Sequence, residues 1–506
     1  MIFFKKMSRI KNKSNTELSR SESEGEEEGT FFDFRIIFME RTLIKETPKH
    51  INQKVKVCGW AQTVRSHGKI LFVDLRDRSG VLQIVFTPKD EKLYTLAQKL
   101  RPEWVIGVEG EIQKRPAGMV NPKIETGSIE LHSEKLEVFS EAKTLPFAID
   151  TPGYEISEEK RLKYRYLDLR RERLKKNLEM RQKVIQFMRN FLIGKEFVEI
   201  ETPILTKSTP EGARDFLVPA RLQPGKFYAL PQSPQQYKQL LQVAGIEKYF
   251  QIVRCMRDED PRADRQAEFT QLDLEMSFVD QDDILDLIEK LYIEIVHKIF
   301  PEKRIQKIPF PRLSYQAVME KYNSDKPDLR TDKNNPEELA FAFIVDFPMF
   351  EWKKEEKRWD AVHHPFTRPQ TEDIQKIKKE PDKILAYQYD FVLNGYEIGG
   401  GSLRTYKPEI LEAVFEVMGH KKSDIKEKFG HLLQAFEFGV PPHGGIAPGL
   451  DRFLAIIFNE PNIREVIAFP KTGDNRDLMM DLPSDVNKEQ LDELRLKIVK
   501  EKKKKK

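Results

Sequence analysis

Two runs rich in β-branched and aromatic residues, Tyr249-Phe250-Gln251-Ile252-Val253 and Phe269-Thr270-Gln271-Leu272-Asp273-Leu274-Glu275, enclose a loop crowded with charge. Such runs favour extended strands, and two strands joined by one loop make an antiparallel hairpin. The loop interleaves Arg254, Arg257, Arg262 and Arg265 with Asp258, Glu259, Asp260 and Asp264. A planar guanidinium meets phosphate oxygens two at a time and keeps its charge, so these arginines suit a polyphosphate ligand. The same composition also describes a solvated, self-neutralising charge run. Asp273 and Glu275 lie two residues apart on one strand and so share a face, which weights the reading toward a built site.

The chain of 506 residues has room for two or three domains. Its net charge of +4 is small beside 86 basic and 82 acidic side chains, so any affinity for nucleic acid has to come from local patches. The two cysteines, Cys58 and Cys255, lie far apart and outside any CxxC pair. That excludes a disulfide scaffold or a cysteine zinc site and fits a reducing cytoplasm. No apolar run approaches the ~20 residues of a membrane span.

Residues 1–38, with a Ser/Glu run from Ser19 to Glu28, read as a disordered extension or an over-called start ahead of Met39. Residues 39–139 give strands over Val55 to Ala61, Ile70 to Leu75 and Val81 to Phe86, a helix over Lys92 to Leu100, and strands over Trp104 to Ile112 and Ile129 to Val138. That order is the order of an OB-fold, a small barrel that binds single-stranded nucleic acid, although other small β-barrels share it. Phe72 and Trp60 offer stacking surfaces, Gln83 an edge for base hydrogen bonds, and Arg65 and Arg76 phosphate contacts. Most such aromatics are core residues, and Trp60 is expected there.

Residues 140–171 read as a linker ending in a basic run, Lys160 to Arg171, whose side chains suit RNA contact, helix capping or solvent. From Leu174 to Ile193 apolar residues recur at helical spacing, and a strand closed by proline follows at Phe197 to Pro203. Gln235 and Lys238, three apart on a helix starting near Ser233, share a face, though a lone helical lysine is usually solvated. Asp390 and Glu397 are hard oxygen ligands suited to Mg²⁺ shared with phosphates, and Gly399 to Gly401 lets backbone come close to a ligand. The neighbours His363 and His364, if on a strand, point to opposite faces, which argues against joint metal ligation. No GxxxxGK[ST] loop is present. Residues 172–485 therefore form the main domain, and 486–506 a tail ending in Lys502 to Lys506.

The hairpin from Phe250 to Phe278 resembles motif 2 of the class II aminoacyl-tRNA synthetases. Its wording, Arg257-Asp258-Glu259-Asp260 and then Glu268-Phe269-Thr270-Gln271-Leu272-Asp273, resembles the bacterial-type aspartyl enzymes. Leu174 to Pro203 resembles motif 1, a dimer interface in that family, and Gly444 to Phe453 resembles motif 3. With the OB-type segment, the resemblance covers nearly everything from Met39 to Pro483. One departure is a missing domain: bacterial members usually carry an insertion where Ser324 to Arg330 here runs almost directly into Phe343 to Pro348.

The resemblance implies an α+β architecture, an OB-fold anticodon domain followed by an antiparallel sheet flanked by helices, in a cytoplasmic homodimer. It implies ATP-dependent formation of aspartyl-adenylate and transfer of aspartate to the terminal ribose of tRNA(Asp). By the same carry-over Arg257 meets the α-phosphate and Arg452 the γ-phosphate, with Glu397 the third catalytic residue. Asp258, Glu259, Gln266, Gly449, Leu450 and Asp451 surround the nucleotide, while Asp390 and Glu397 hold Mg²⁺. Glu211, Gln235, Lys238, Arg257, Asp273, His363 and Arg404 bind L-aspartate, Lys238 and Arg404 clamping its side-chain carboxylate. Arg65, His67, Phe72 and Gln83 meet the anticodon. A histidine at position 67, where strict enzymes tend to carry leucine, points to tRNA(Asn) as a second substrate. Two rivals remain: an asparagine synthetase on the same catalytic fold, which would lack the OB domain, and a non-catalytic RNA-binding relative, which would be expected to have lost Arg257, Glu397 or Arg452.

Overall fold

The computed structural model describes residues 39–208 and 212–499. The expected extension 1–38, Glu211 and the terminal lysine run lie outside the described residues. The chain divides into two compact units, the first ending at Pro146 and the second beginning at Phe147.

The first unit is a closed barrel of β1 (Lys54–His67), β2 (Ile70–Asp77), β3 (Gly80–Phe86), β4 (Val105–Lys114) and β5 (Ile129–Ser140), in the order β1-β2-β3-β5-β4. Helix α1 (Glu91–Ala97) lies between β3 and β4, its first turn capped by Asp90, which accepts from the Leu93 N–H. Alternation decides the interior: Val55, Val57, Leu71, Val73, Leu75, Leu82 and Ile84 fill it. The same parity turns Cys58 and Trp60 outward, so Trp60 is half-buried outside the barrel core and not within it as expected. The β1–β2 hairpin turns tightly at Gly68, whose φ of 60° suits glycine.

In the second unit the relevant elements are α2 (Glu172–Ile193), β6 (Val198–Glu199), α3 (Gln235–Val243), β7 (Lys248–Met256), β8 (Glu268–Ser277), α4 (Gln281–Ile299), β9 (Arg312–Ser314), β10 (Phe341–Val345), β11 (Gln388–Leu393), β12 (Tyr396–Leu403), β13 (His443–Pro448) and α5 (Leu450–Ile457). The strands form one sheet of eight, in the order β9-β10-β11-β12-β13-β8-β7-β6. All pairs are antiparallel except β9 with β10 and β6 with β7. A capping box at Asp280 and Asp283 starts α4, and Ile284, Ile288, Leu291, Tyr292 and Ile295 on its apolar face are fully buried. Tyr292 meets Phe391 and Phe453 edge-on at 4.8 and 4.9 Å between ring centres, which ties helix to sheet.

Two stretches read as a linker and a tail contain regular structure. The stretch from 147 to 171 is built into the second unit, with short helices at Glu158–Lys163 and Arg165–Asp168. Its arginines are neither solvated nor free for RNA: Arg161, Arg165 and Arg171 are buried around Asp168, at 3.1, 2.8 and 2.7 Å, and Arg161 also pairs with Glu465 at 2.6 Å. Burial of so many charges is sustained because each is paired. Within the tail, Lys488–Glu493 is a helix started by a capping box of Asn487 and Gln490.

Candidate active site

Strand β8 lies between β7 and β13 near the middle of the sheet. Alternation sends Leu272 and Leu274 into the core, while Asp273 and Glu275 face the other way, both fully buried. Burying two carboxylates on one strand requires partners. Lys238 of α3 supplies the first, its Nζ 2.7 Å from Asp273 Oδ1 and 3.2 Å from Glu275 Oε2. Arg404, just past β12, supplies the second: its Nε and Nη2 donate to the two oxygens of Glu275 at 2.8 and 3.1 Å. Burial pushes the Glu275 carboxyl up, but Arg404 and Lys238 outweigh it and hold the group at about 2. For Asp273 burial wins and the carboxyl is raised; its Oδ2 has no hydrogen-bond partner among the described residues.

This cluster forms the floor of a cavity of about 330 Å³. Glycines make room for it: a Cβ on Gly445 of β13 would sit 2.2 Å from Glu275 Oε2, and one on Gly401 would sit 2.3 Å from the Gly445 carbonyl. Toward the motif 2 loop the cavity is lined by Arg257, Glu259, Arg265, Gln266 and Phe269. The Arg257 guanidinium lies 5.1 Å from the centre of the Phe269 ring, which orients it. Arg452 of α5 also lines the cavity, donating to the Glu397 carbonyl and lying 3.3 Å from Asp264 Oδ2 of the motif 2 loop. Glu259 is paired with Arg265 at 2.8 Å.

The hairpin of β11 and β12 turns at Asn394-Gly395, both with positive φ, and Asp390 then faces Gly400. A Cβ at Gly400 would meet Asp390 Oδ1 at 3.2 Å and Glu397 Oε1 at 3.7 Å, so both carboxylates converge on that glycine. Burial, with the charge of Glu397 second, pushes the Asp390 carboxyl well up. Two crowded carboxylates fit a divalent cation that takes its remaining ligands from phosphates and water. Among the described residues no cluster of three or more His, Cys, Asp or Glu could hold a metal unaided.

Gln235, Lys238, Asp273, His363 and Arg404 of the expected amino-acid site line this one cavity, as do Arg257, Glu259, Gln266, Glu397, Gly449, Asp451 and Arg452 of the expected nucleotide site. Two residues of the expected nucleotide site lie elsewhere, and Asp390 of the expected metal site is outside the lining as well. Leu450 belongs to the hydrophobic core, because it is the first inward residue of α5. Asp258 stays outside the cavity lining; its backbone N–H donates to the Arg214 carbonyl. Gln266 has its amide engaged at both ends with the Lys471 backbone, at 2.9 Å each. His363 and His364 are past the end of a strand, on a bend, so both line the cavity and the expectation of opposite faces does not apply. Burial and the nearby Arg404, Lys238 and Arg257 push His364 down to about 3.

Sequence reasoning gives no role to Gln239 or His443, and names Asp264 only within the charged loop and Phe269 only within a strand. The spacing of Gln235 and Gln239, four apart on α3, was available as a signal; nothing local marks His443.

On the barrel unit, Phe72, Asp74 and Gln83 share the outer face, and His67 is exposed at the end of β1. Arg65 is paired with Asp74 at 2.8 Å, and Arg76 with Glu103 at 2.9 Å. Gln83 donates to Glu130 Oε2 at 2.9 Å.

Residues 157–473 match the family described as "tRNA synthetases class II (D, K and N)", and residues 55–139 match "OB-fold nucleic acid binding domain". The aspartate–tRNA(Asp/Asn) ligase of Rubrobacter xylanophilus is 41% identical over 572 residues, covering 89% of this chain and 95% of its own. The ligase of the same name from Dictyoglomus turgidum is 42% identical over 574 residues, covering 89% and 96%. Both alignments are longer than this chain, so parts of the relatives amounting to a small domain have no counterpart here. In fold, the asparaginyl-tRNA synthetase of Pyrococcus horikoshii, solved with asparaginyl-adenylate, superimposes with a TM-score of 0.69 at 24% identity, over 86% of this chain and 98% of that one.

Proposed function

Because this chain belongs to the class II tRNA synthetases of the aspartate, lysine and asparagine group, we propose that it ligates L-aspartate to tRNA. The observation that carries the choice of amino acid is the buried pair Lys238 and Arg404 on the cavity floor. Asp273 and Glu275 already hold these two cations in place, and the donors they keep free toward the cavity make charge-assisted hydrogen bonds to a ligand carboxylate, which are stronger than those to an amide.

The reaction proceeds in two steps. The α-carboxylate of aspartate attacks the α-phosphorus of ATP, the bond to the β-phosphate oxygen breaks, and pyrophosphate leaves. The terminal ribose hydroxyl of tRNA then attacks the acyl carbon and AMP departs. Neither step needs a side-chain nucleophile; the protein positions groups and neutralises charge. Arg257 serves the α-phosphate and Arg452 the γ-phosphate, both from the lining of the one cavity. Asp390 and Glu397 would hold Mg²⁺, which when bound supplies positive charge against the phosphates.

The barrel takes the anticodon through Phe72, Gln83, Arg65 and His67, and the substrates are both tRNA(Asp) and tRNA(Asn), as the names of the relatives read. The active form is a cytoplasmic homodimer built on the motif 1 region. Support for the dimer comes from Ile193 and Val198, apolar and exposed within the motif 1 stretch, with Ile204 and Leu205 exposed just after it. Among the described residues no helix is long and apolar enough to cross a membrane. The barrel weighs against the amidating ligase. Pyrophosphate exchange tests the reading: aspartate is expected to drive it, asparagine and lysine to leave it at background, and exchange driven equally by asparagine would refute the choice of amino acid.

A further inference from the structure

Behind the cavity floor a chain of buried polar side chains runs from a backbone carbonyl to Gln235. His443 Nδ1 lies 2.8 Å from the Pro441 carbonyl oxygen, and its Nε2 lies 3.1 Å from Gln239 Nε2. Gln239 Oε1 lies 3.0 Å from Gln235 Nε2. Gln235, Gln239 and His443 are all buried, and Gln235 lines the cavity.

The polarity of every link follows from the first. A carbonyl oxygen can only accept, so His443 Nδ1 carries a proton. In a neutral imidazole the other nitrogen is then an acceptor, so the Gln239 atom facing it is the amide N–H. That leaves Gln239 Oε1 toward Gln235, which must present its own N–H there. The remaining atom of the Gln235 amide is its carbonyl oxygen, an obligate acceptor. Aspartate offers two carboxylates, which only accept, and one ammonium, which only donates. We propose that Gln239 and His443 are positioning residues that lock the Gln235 amide with its carbonyl oxygen toward the cavity, as the acceptor for the substrate α-ammonium group.

A neutral His443 is what its surroundings dictate. Burial pushes the imidazole down, as do Arg404 and Lys238; Glu275 and the Pro441 carbonyl work the other way, and burial prevails. A protonated ring would donate from both nitrogens, reverse Gln239 and turn an N–H of Gln235 at the incoming ammonium. With glutamine at position 239, a charged His443 would therefore weaken aspartate binding.

The inference rests on the reading of this cavity as the aspartate site, and the test separates the two. In full-length protein labelled with ¹⁵N-histidine, with the resonance assigned by loss in His443→Asn, the Nδ1–H tautomer is expected at pH 7.5. The Nε2–H tautomer or an imidazolium would overturn the proposal. In pyrophosphate exchange, Gln239→Met should raise the KM for aspartate ~10-fold, the scale of a misoriented hydrogen bond to a charged group, with the KM for ATP unmoved. Gln239→Glu should recover much of that loss, because a carboxylate still accepts from Gln235 while His443 takes up a proton to donate to it. A packing role predicts the reverse order, since a buried charge replaces an isostere, and that order would refute the relay. Gln235→Leu is the control: a raised aspartate KM beside the wrong tautomer overturns the relay alone, whereas an unchanged KM overturns the aspartate site with it.

Discussion

Lys238 and Asp273 form a buried ion pair, Nζ to Oδ1 at 2.7 Å, and the same ammonium lies 3.2 Å from Glu275. The cation proposed to meet a substrate carboxylate is therefore held in place by the protein's own acids. Lys238→Leu should cost at least ~2 kcal/mol in aspartate-dependent kcat/KM, the scale for truncating one partner of a buried charge pair. Exchange kinetics measured beside a thermal melt check this; wild-type kinetics would remove Lys238 from the site.

Glu275 makes a pH signature. Its carboxyl is held at about 2 against an ordinary 4.5, so the unfolded chain takes up its proton more readily than the native one. Stability from this group is complete above about pH 4.5 and is lost as pH falls toward 2, in all about 3 kcal/mol. Asp273, raised by burial, works in the opposite direction, so the comparison has to be with Glu275→Gln. Denaturation of the variant between pH 5 and pH 3 should show a shallower fall than that of the wild type.

Arg257→Ala should abolish adenylate formation while leaving tRNA affinity nearly intact, because the barrel has its own hydrophobic core. Filter binding beside exchange separates the two functions. Equal loss of both would point to misfolding.

Asp390→Asn should raise the magnesium concentration for half-maximal exchange by ~10-fold or more, the scale for disturbing a metal site. An unshifted titration would take Asp390 out of cation binding.

Much of this was legible before the fold. The hairpin at β7 and β8, the long helix and the strand order of the barrel each announce themselves through local alternation or spacing, and the motif wording named the cavity's arginines. What stayed hidden depends on partners distant in the chain. In sequence, Arg161 and Arg171 stay open between RNA contact, helix capping and solvent, because the convergence of Asp168 and Glu465 on them belongs to the fold. Lys238 is ordinary until Asp273 and Glu275 face it. Trp60 was assigned to the core on residue type, where the parity of β1 decides otherwise. His363 and His364 were read by strand rules that a bend suspends.

His67 sits exposed at the end of β1, opposite Ile70 of β2, and is proposed to meet the anticodon. His67→Leu should increase the preference for tRNA(Asp) over tRNA(Asn), read from the ratio of kcat/KM for the two. A ratio unaffected by the substitution would make the residue a bystander.

The most direct test of the account is to charge purified tRNA(Asp) and tRNA(Asn) side by side with labelled aspartate and ATP. Aspartate is expected on the 3′ end of both, with a preference for tRNA(Asp) below ~10³, equivalent to about 4 kcal/mol. A larger preference would contradict the proposed double specificity. Free asparagine formed from aspartate and ammonia, with neither tRNA charged, would contradict the ligase itself.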